Sequence, residues 1–70
     1  MKKVILIPHA EKKRRQKGLT DMYIEQVIMF PSKKRKRRDD RIEVEGMARN
    51  REIFVVYEER ENYLRVITII

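Results

Sequence analysis

The sequence predicts a single α+β domain over residues 1–70, ordered β-α-α-β-β-β, with two helices packed on a mainly antiparallel four-stranded sheet. Three observations carry this. The apolar run Val4-Ile5-Leu6-Ile7 is cut off by Pro8, which has no amide hydrogen to give to a sheet. Tyr23, Ile24, Val27 and Ile28 recur at helical spacing. From Arg41 onward the period falls to two, and β-branched residues dominate.

The elements follow in order. Val4 to Ile7 reads as a strand covered on both faces, since four apolar residues stand in a row. Pro8 suits the first turn of a helix, where a missing N–H costs nothing. Residues 8–17 are then helical, and Gly18 stops them. Ala10 is the only apolar contact in this segment, so lysine and arginine stems must supply part of its packing. Thr20 is a suitable N-cap for the second helix, with Asp21 favourable in its first turn. Leu19 and Ile24 match a hydrophobic staple. Pro31 ends the helix by pushing Phe30 out of the α region.

After Ser32 come six consecutive cations, Lys33 to Arg38, followed by Asp39-Asp40. Like charges repel in a tight element, so the run belongs on a mobile loop or at the entry to an edge strand. Ile42 and Val44 alternate with charged residues, and Gly46 reads as a bulge or the start of a turn. Residues 53–57 and 64–70 give the last two strands, joined by a loop at Arg60-Glu61-Asn62. The three closing strands are most simply a meander.

Charge divides the chain. There are 18 Lys+Arg and 11 Asp+Glu, for a net charge of +7. Residues 1–38 hold 13 basic and 3 acidic side chains, and residues 39–70 hold 5 and 8. A polyanion is the natural partner of the first part, because neutralised phosphates release counterions. The run at Val4 is far shorter than the roughly 20 residues of a membrane span, and shorter than a signal-peptide core, which points to a soluble cytoplasmic protein. Cysteine is absent, so disulfides and thiolate metal sites are excluded. No metal or other cofactor is expected: adjacent Asp39 and Asp40 point apart on a strand, and glycine-rich phosphate loops and Ser/His/Asp sets are missing. Amides and hydroxyls are few and charges many, a pattern associated with thermophiles.

Several residues are candidates for function. Lys33, Lys34, Arg35, Lys36, Arg37 and Arg38 read as a phosphate-binding run, or alternatively as a solvated edge that blocks aggregation. His9 is the only histidine, the side-chain type that titrates near neutrality. It shares a helix face with Lys13 and Lys17, an arrangement that serves acid–base chemistry on a phosphodiester or merely opens the helix. Tyr63, Tyr57 and Phe54 stack bases if exposed and fill the core if not. Arg65 interrupts an apolar strand, and holds either a phosphate or a cross-strand partner among Glu43, Glu45 and Glu58. If the strands are regular, Phe54, Val56, Ile67 and Ile69 form a face opposite Val55 and Val66. Two short helices leave that face partly open, as a surface for a homodimer or another protein partner.

Pro8-His9-Ala10, Lys13, Lys17-Gly18-Leu19-Thr20, the following helix and Pro31 resemble a small prokaryotic family, the forty-two fifty-eight domain of unknown function. Val66-Ile67-Thr68-Ile69 resembles that family's last strand. Lys13 and Lys17 stand where the family commonly has arginine. The family is similar to the RelE/ParE and BrnT toxins of toxin–antitoxin modules. The resemblance implies a RelE-like fold and a toxin-type RNA-binding protein, in many of those toxins a metal-independent endoribonuclease, with an acidic antitoxin or a second copy as candidate partner. It assigns candidate catalytic roles to His9, Lys13, Lys17 and Arg65. A non-catalytic nucleic-acid-binding module and an interaction domain for an acidic partner are the alternatives.

Overall fold

The structure is a computed structural model that describes residues 2–70. Its elements are β1 (Lys3–Leu6), α1 (Pro8–Gln16), α2 (Asp21–Met29), β2 (Lys33–Lys36), β3 (Ile42–Ala48), β4 (Arg51–Glu59) and β5 (Tyr63–Ile69). The strands form one sheet in the order β1-β5-β4-β3-β2. β1 runs parallel to β5, and the other neighbours are antiparallel. The α+β class and the closing meander are as the sequence predicts. No helix among the described residues is long and apolar enough to cross a membrane.

The sheet has five strands rather than four, because the basic run itself supplies β2. Charge repulsion does not prevent this. An edge strand gives its side chains to water, and all four residues of β2 are exposed. The register also sets Lys33 opposite Glu45 and Arg35 opposite Glu43, so opposite charges meet across the ladder.

Pro8 starts α1, and Gly18 ends it in the left-handed region at φ 66°. The Gly18 and Leu19 amides donate to the carbonyls of Arg15 and Arg14 at 3.0 and 3.1 Å, the paired bonds of a Schellman stop. Arg14 then secures the corner. Its guanidinium donates to the Leu19 carbonyl at 2.7 Å, pairs with Glu11, and approaches Asp21 at 3.3 Å. The Thr20 hydroxyl accepts from the Tyr23 amide, so it is the N-cap of α2.

One face of the sheet carries the core. Ala10 from α1 and Ile24, Val27 and Ile28 from α2 pack with Val44, Val55, Val66 and Ile69 of the sheet. Gly46 is neither bulge nor turn. It lies within β3 under α2, where an added Cβ would come within 3.2 Å of a Val27 methyl; the missing side chain lets helix and sheet approach closely. The turn comes later, at Arg49-Asn50, both at positive φ (52° and 63°), as a two-residue hairpin loop requires.

The face expected to hold Phe54, Val56, Ile67 and Ile69 needs one correction. Val55 opposes Ile69 and Tyr57 opposes Val66, leaving Ile67 as an extra residue in β5. This bulge reverses the alternation and returns Ile69 to the core, fully buried beside Val55 and Val66. Phe54 and Ile67 stay half-buried on the face away from the helices. Val56 lies outside the core cluster yet is only 1% exposed.

Candidate nucleic-acid interface

Two basic surfaces emerge from these elements. The first is the β2 edge. Lys33, Lys34, Arg35, Lys36, Arg37 and Arg38 are all exposed, with the last two in the turn toward β3. Only Arg35 has a carboxylate partner among the described residues, Glu43 at 3.0 Å.

The second surface is the corner where α1 meets the β3–β4 hairpin. His9 is exposed, and Lys13 and Lys17 are half-buried along the same side of α1. Arg49 donates to the Gly18 carbonyl at 2.7 Å, and Arg51 donates to the Lys17 carbonyl. These bonds occupy carbonyls left without partners at the helix end, and cations suit the negative pole of the helix dipole. They also place two arginines next to Lys17. Neither Arg49 nor Arg51 was marked by the sequence, because capping a helix from a distant hairpin leaves no local pattern.

Among the described residues the His9 ring makes one hydrogen bond, between Nε2 and the Thr68 hydroxyl at 3.1 Å. Thr68 lies beyond the end of the β1 ladder, where Leu6 pairs with Val66, so the start of α1 reaches β5 directly. The partner is therefore a hydroxyl rather than the backbone.

Arg65 does not join His9, Lys13 and Lys17. The register places it beside Ile5 and opposite Glu58, on the face away from α1. Its guanidinium bonds Glu58 at 3.2 Å. This is the cross-strand pair that the sequence left open as the alternative to a phosphate. Glu58 is only 19% exposed, and Arg41 and Arg60 approach it as well, at 3.5 and 2.9 Å. Tyr63 is half-buried at the start of β5, opposite Lys3. Tyr57 belongs to the core, where burial, reinforced by Glu59, pushes its pKa up.

The carboxylates divide by environment. The Arg14 hydrogen bond holds Glu11 below the usual carboxylate range, and the Lys2 hydrogen bond does the same for Glu59. Partial burial pushes Glu58 up, but Arg60 and Arg65 outweigh it and the net shift is downward. Glu45 moves the other way, raised by burial and by the neighbouring Glu52 carboxyl. The signs predict opposite behaviour. A lowered folded-state pKa gives stability that is present above the ordinary carboxylate range and lost as pH falls through the folded value. A raised one favours folding only while the group is protonated. Thermal melts should therefore show the midpoint falling as pH drops below about 4.5. Glu45→Gln should raise the midpoint at pH 7 and leave it nearly unchanged at pH 3. A midpoint lowered at pH 7 would contradict the assignment.

On the open face, two rows cross the sheet. Lys33, Glu45 and Phe54 stand side by side on β2, β3 and β4, and Arg35, Glu43 and Val56 form the next row. Between them lies a groove of about 690 Å³ lined by Phe54, Glu43, Val44, Glu45, Lys33, Lys34 and Arg35. Comparison with family models, curated proteins and solved structures gives no match.

Proposed function

We propose that this protein binds RNA, with the β2 edge and the α1–hairpin corner as its two phosphate-contacting surfaces. One observation carries the reading. Seven of the 18 basic side chains pair with a carboxylate within 4.0 Å, and the other eleven have no such partner among the described residues. Those eleven include five of the six residues of the basic run, together with Lys12, Lys13, Lys17, Arg49 and Arg51. Cations without counterions lose little when they meet phosphates, and counterion release from the nucleic acid drives association. RNA rather than DNA, and a toxin-type role beside an acidic antitoxin, come from the sequence resemblance.

A second reading adds cleavage. His9 is exposed, hydrogen-bonded to Thr68, and shares its helix side with Lys13 and Lys17, neither of which has a carboxylate within 4.0 Å among the described residues. A base flanked by cations is suited to transesterification by a ribose 2′-hydroxyl. Arg65 is left out of this set by its place on the opposite face.

The binding reading is tested by salt. Lys34, Lys36 and Arg37 are exposed and have no carboxylate within 4.0 Å among the described residues, so replacing all three with serine should leave the fold intact. Exposed substitutions of this kind typically change stability by no more than about 0.5 kcal/mol. The slope of log affinity against log salt for a single-stranded RNA should become shallower by about 0.7 per lost contact. An unchanged slope would take the run out of the interface.

A further inference from the structure

The groove on the open face combines features that phosphate binding alone does not require. Phe54 is half-buried on the central strand and pairs with Ile70 through two backbone hydrogen bonds of 3.0 and 2.8 Å, which fix its backbone beside the end of β5. Glu45 lies directly beside it on β3, and Lys33 stands beyond Glu45 on β2. Arg35 neutralises Glu43 in the adjoining row. One aromatic side chain, two carboxylates of which Arg35 pairs with one, and a cationic rim thus meet in a groove of about 690 Å³, within the roughly 300–1,000 Å³ of small-ligand sites.

We propose that this groove takes one base of a single-stranded RNA, which stacks on Phe54, and that Glu45 selects guanine by accepting its N–H donors. The inference rests on the RNA-binding reading and adds a base preference to it. A carboxylate is an acceptor only, with two oxygens that take two parallel donors. Guanine offers two on one edge, the N1 hydrogen and the exocyclic amine. Adenine and cytosine set an acceptor nitrogen beside their amine, and that nitrogen would face a carboxylate oxygen unfavourably. Uracil has one N–H between two carbonyls. Among the four bases, the donor pattern of guanine alone matches a carboxylate.

The surroundings of Glu45 agree with this. Burial and Glu52 disfavour its charge, so the anion gains from any donor-rich edge brought against it. The carboxylates of the floor also repel phosphates, and they steer the backbone toward Lys33, Lys34 and Arg35 on the rim. A protein partner is the less suitable occupant. The Arg35–Glu43 and Arg65–Glu58 pairs interrupt the apolar surface, and interface cores are depleted in charge.

The test uses the full chain and uridine-rich RNA hexamers that differ at one central base: guanine, adenine, cytosine or uracil. By fluorescence anisotropy, the wild type should bind the guanine hexamer about ten-fold or more tightly than the others. Glu45→Gln should remove most of that preference while keeping or improving affinity for the all-uridine hexamer. Phe54→Leu should weaken the guanine hexamer by about ten-fold, as expected for a lost stacking platform. The triple serine variant of Lys34, Lys36 and Arg37 should weaken all four and preserve their order. Wild-type binding without a base preference would overturn this inference and leave the RNA-binding reading standing. A guanine preference that persists in Glu45→Gln would overturn it too. A dimer in light scattering that Phe54→Leu dissolves would give the face to a second copy and overturn it by that route. No binding to any hexamer would remove the underlying reading as well.

Discussion

Ile24→Ala is expected to lower the free energy of unfolding by about 2–5 kcal/mol, much of what a chain of this length holds, which is about 3.5–10 kcal/mol. Ile24 is fully buried and joins α2 to the shared core with Val27 and Ile28. Alanine would leave a void that two short helices cannot close, since Gly46 already lets α2 lie as near to β3 as Val27 permits. Met22 and Met29 are the internal control. Both are on α2, yet they are 66% and 49% exposed. Their alanine variants should stay within about 0.5 kcal/mol of wild type. Urea unfolding followed by circular dichroism measures all three. Equal effects at Ile24 and Met22 would mean that α2 does not dock as described.

The apolar periods made most of this fold legible. Two β-branched strands, a capped helix and a meander announce themselves through side chains that must leave water, and the structure places each close to where it was expected. β2 was harder because its signal is inverted. It is held by its neighbour's backbone and by the Arg35–Glu43 pair across the ladder, not by burial. The alternation of Glu43 and Glu45 with Ile42 and Val44 was visible, but a charged partner strand leaves no apolar trace. Ile69 was misplaced for a different reason: a bulge adds one residue, and every side chain beyond it changes face. No residue type marks that position, for Ile67 is as ordinary a strand residue as its neighbours.

The candidate site was legible in composition more than in geometry. The basic run and the His9, Lys13, Lys17 series could be read directly, because one is contiguous and the other follows helical spacing. Arg65 stood out as an anomaly in its strand, and its partner proved to be Glu58, one of three carboxylates that the pattern allowed. Arg14, Arg49 and Arg51 were invisible as special residues in a chain so rich in cations. Arg14 reaches the Leu19 carbonyl only once the chain has turned at Gly18, and Arg49 and Arg51 reach carbonyls near the α1 C-terminus that only the tertiary fold brings close. Glu45 was one of several alternating glutamates until the register set it between Lys33 and Phe54.

Cleavage is the property that separates the two readings of the α1 side, and the His9→Ala variant isolates it. If His9 is the base, its loss should slow single-turnover cleavage of a mixed-sequence RNA by about 10²- to 10⁴-fold. Activity should survive chelators, since His9, Lys13 and Lys17 act without metal, and it should vanish when the 2′-hydroxyl is removed from the substrate. Thr68→Val removes the hydroxyl that meets Nε2 at 3.1 Å and keeps the shape of the side chain. It should lower the cleavage rate with little change in RNA affinity, because the ring loses its anchor and the cations do not move. Arg65→Ala should leave the rate close to wild type, in contrast to a residue of the reacting set, for its guanidinium is held by Glu58 on the other face. Binding should persist in all three variants through the β2 edge. Should the wild type bind RNA tightly and cut neither free RNA nor ribosome-bound message, the cleavage reading is lost. His9 would then be the residue that fastens the start of α1 to β5, and Lys13 and Lys17 would remain as phosphate contacts of a binding protein.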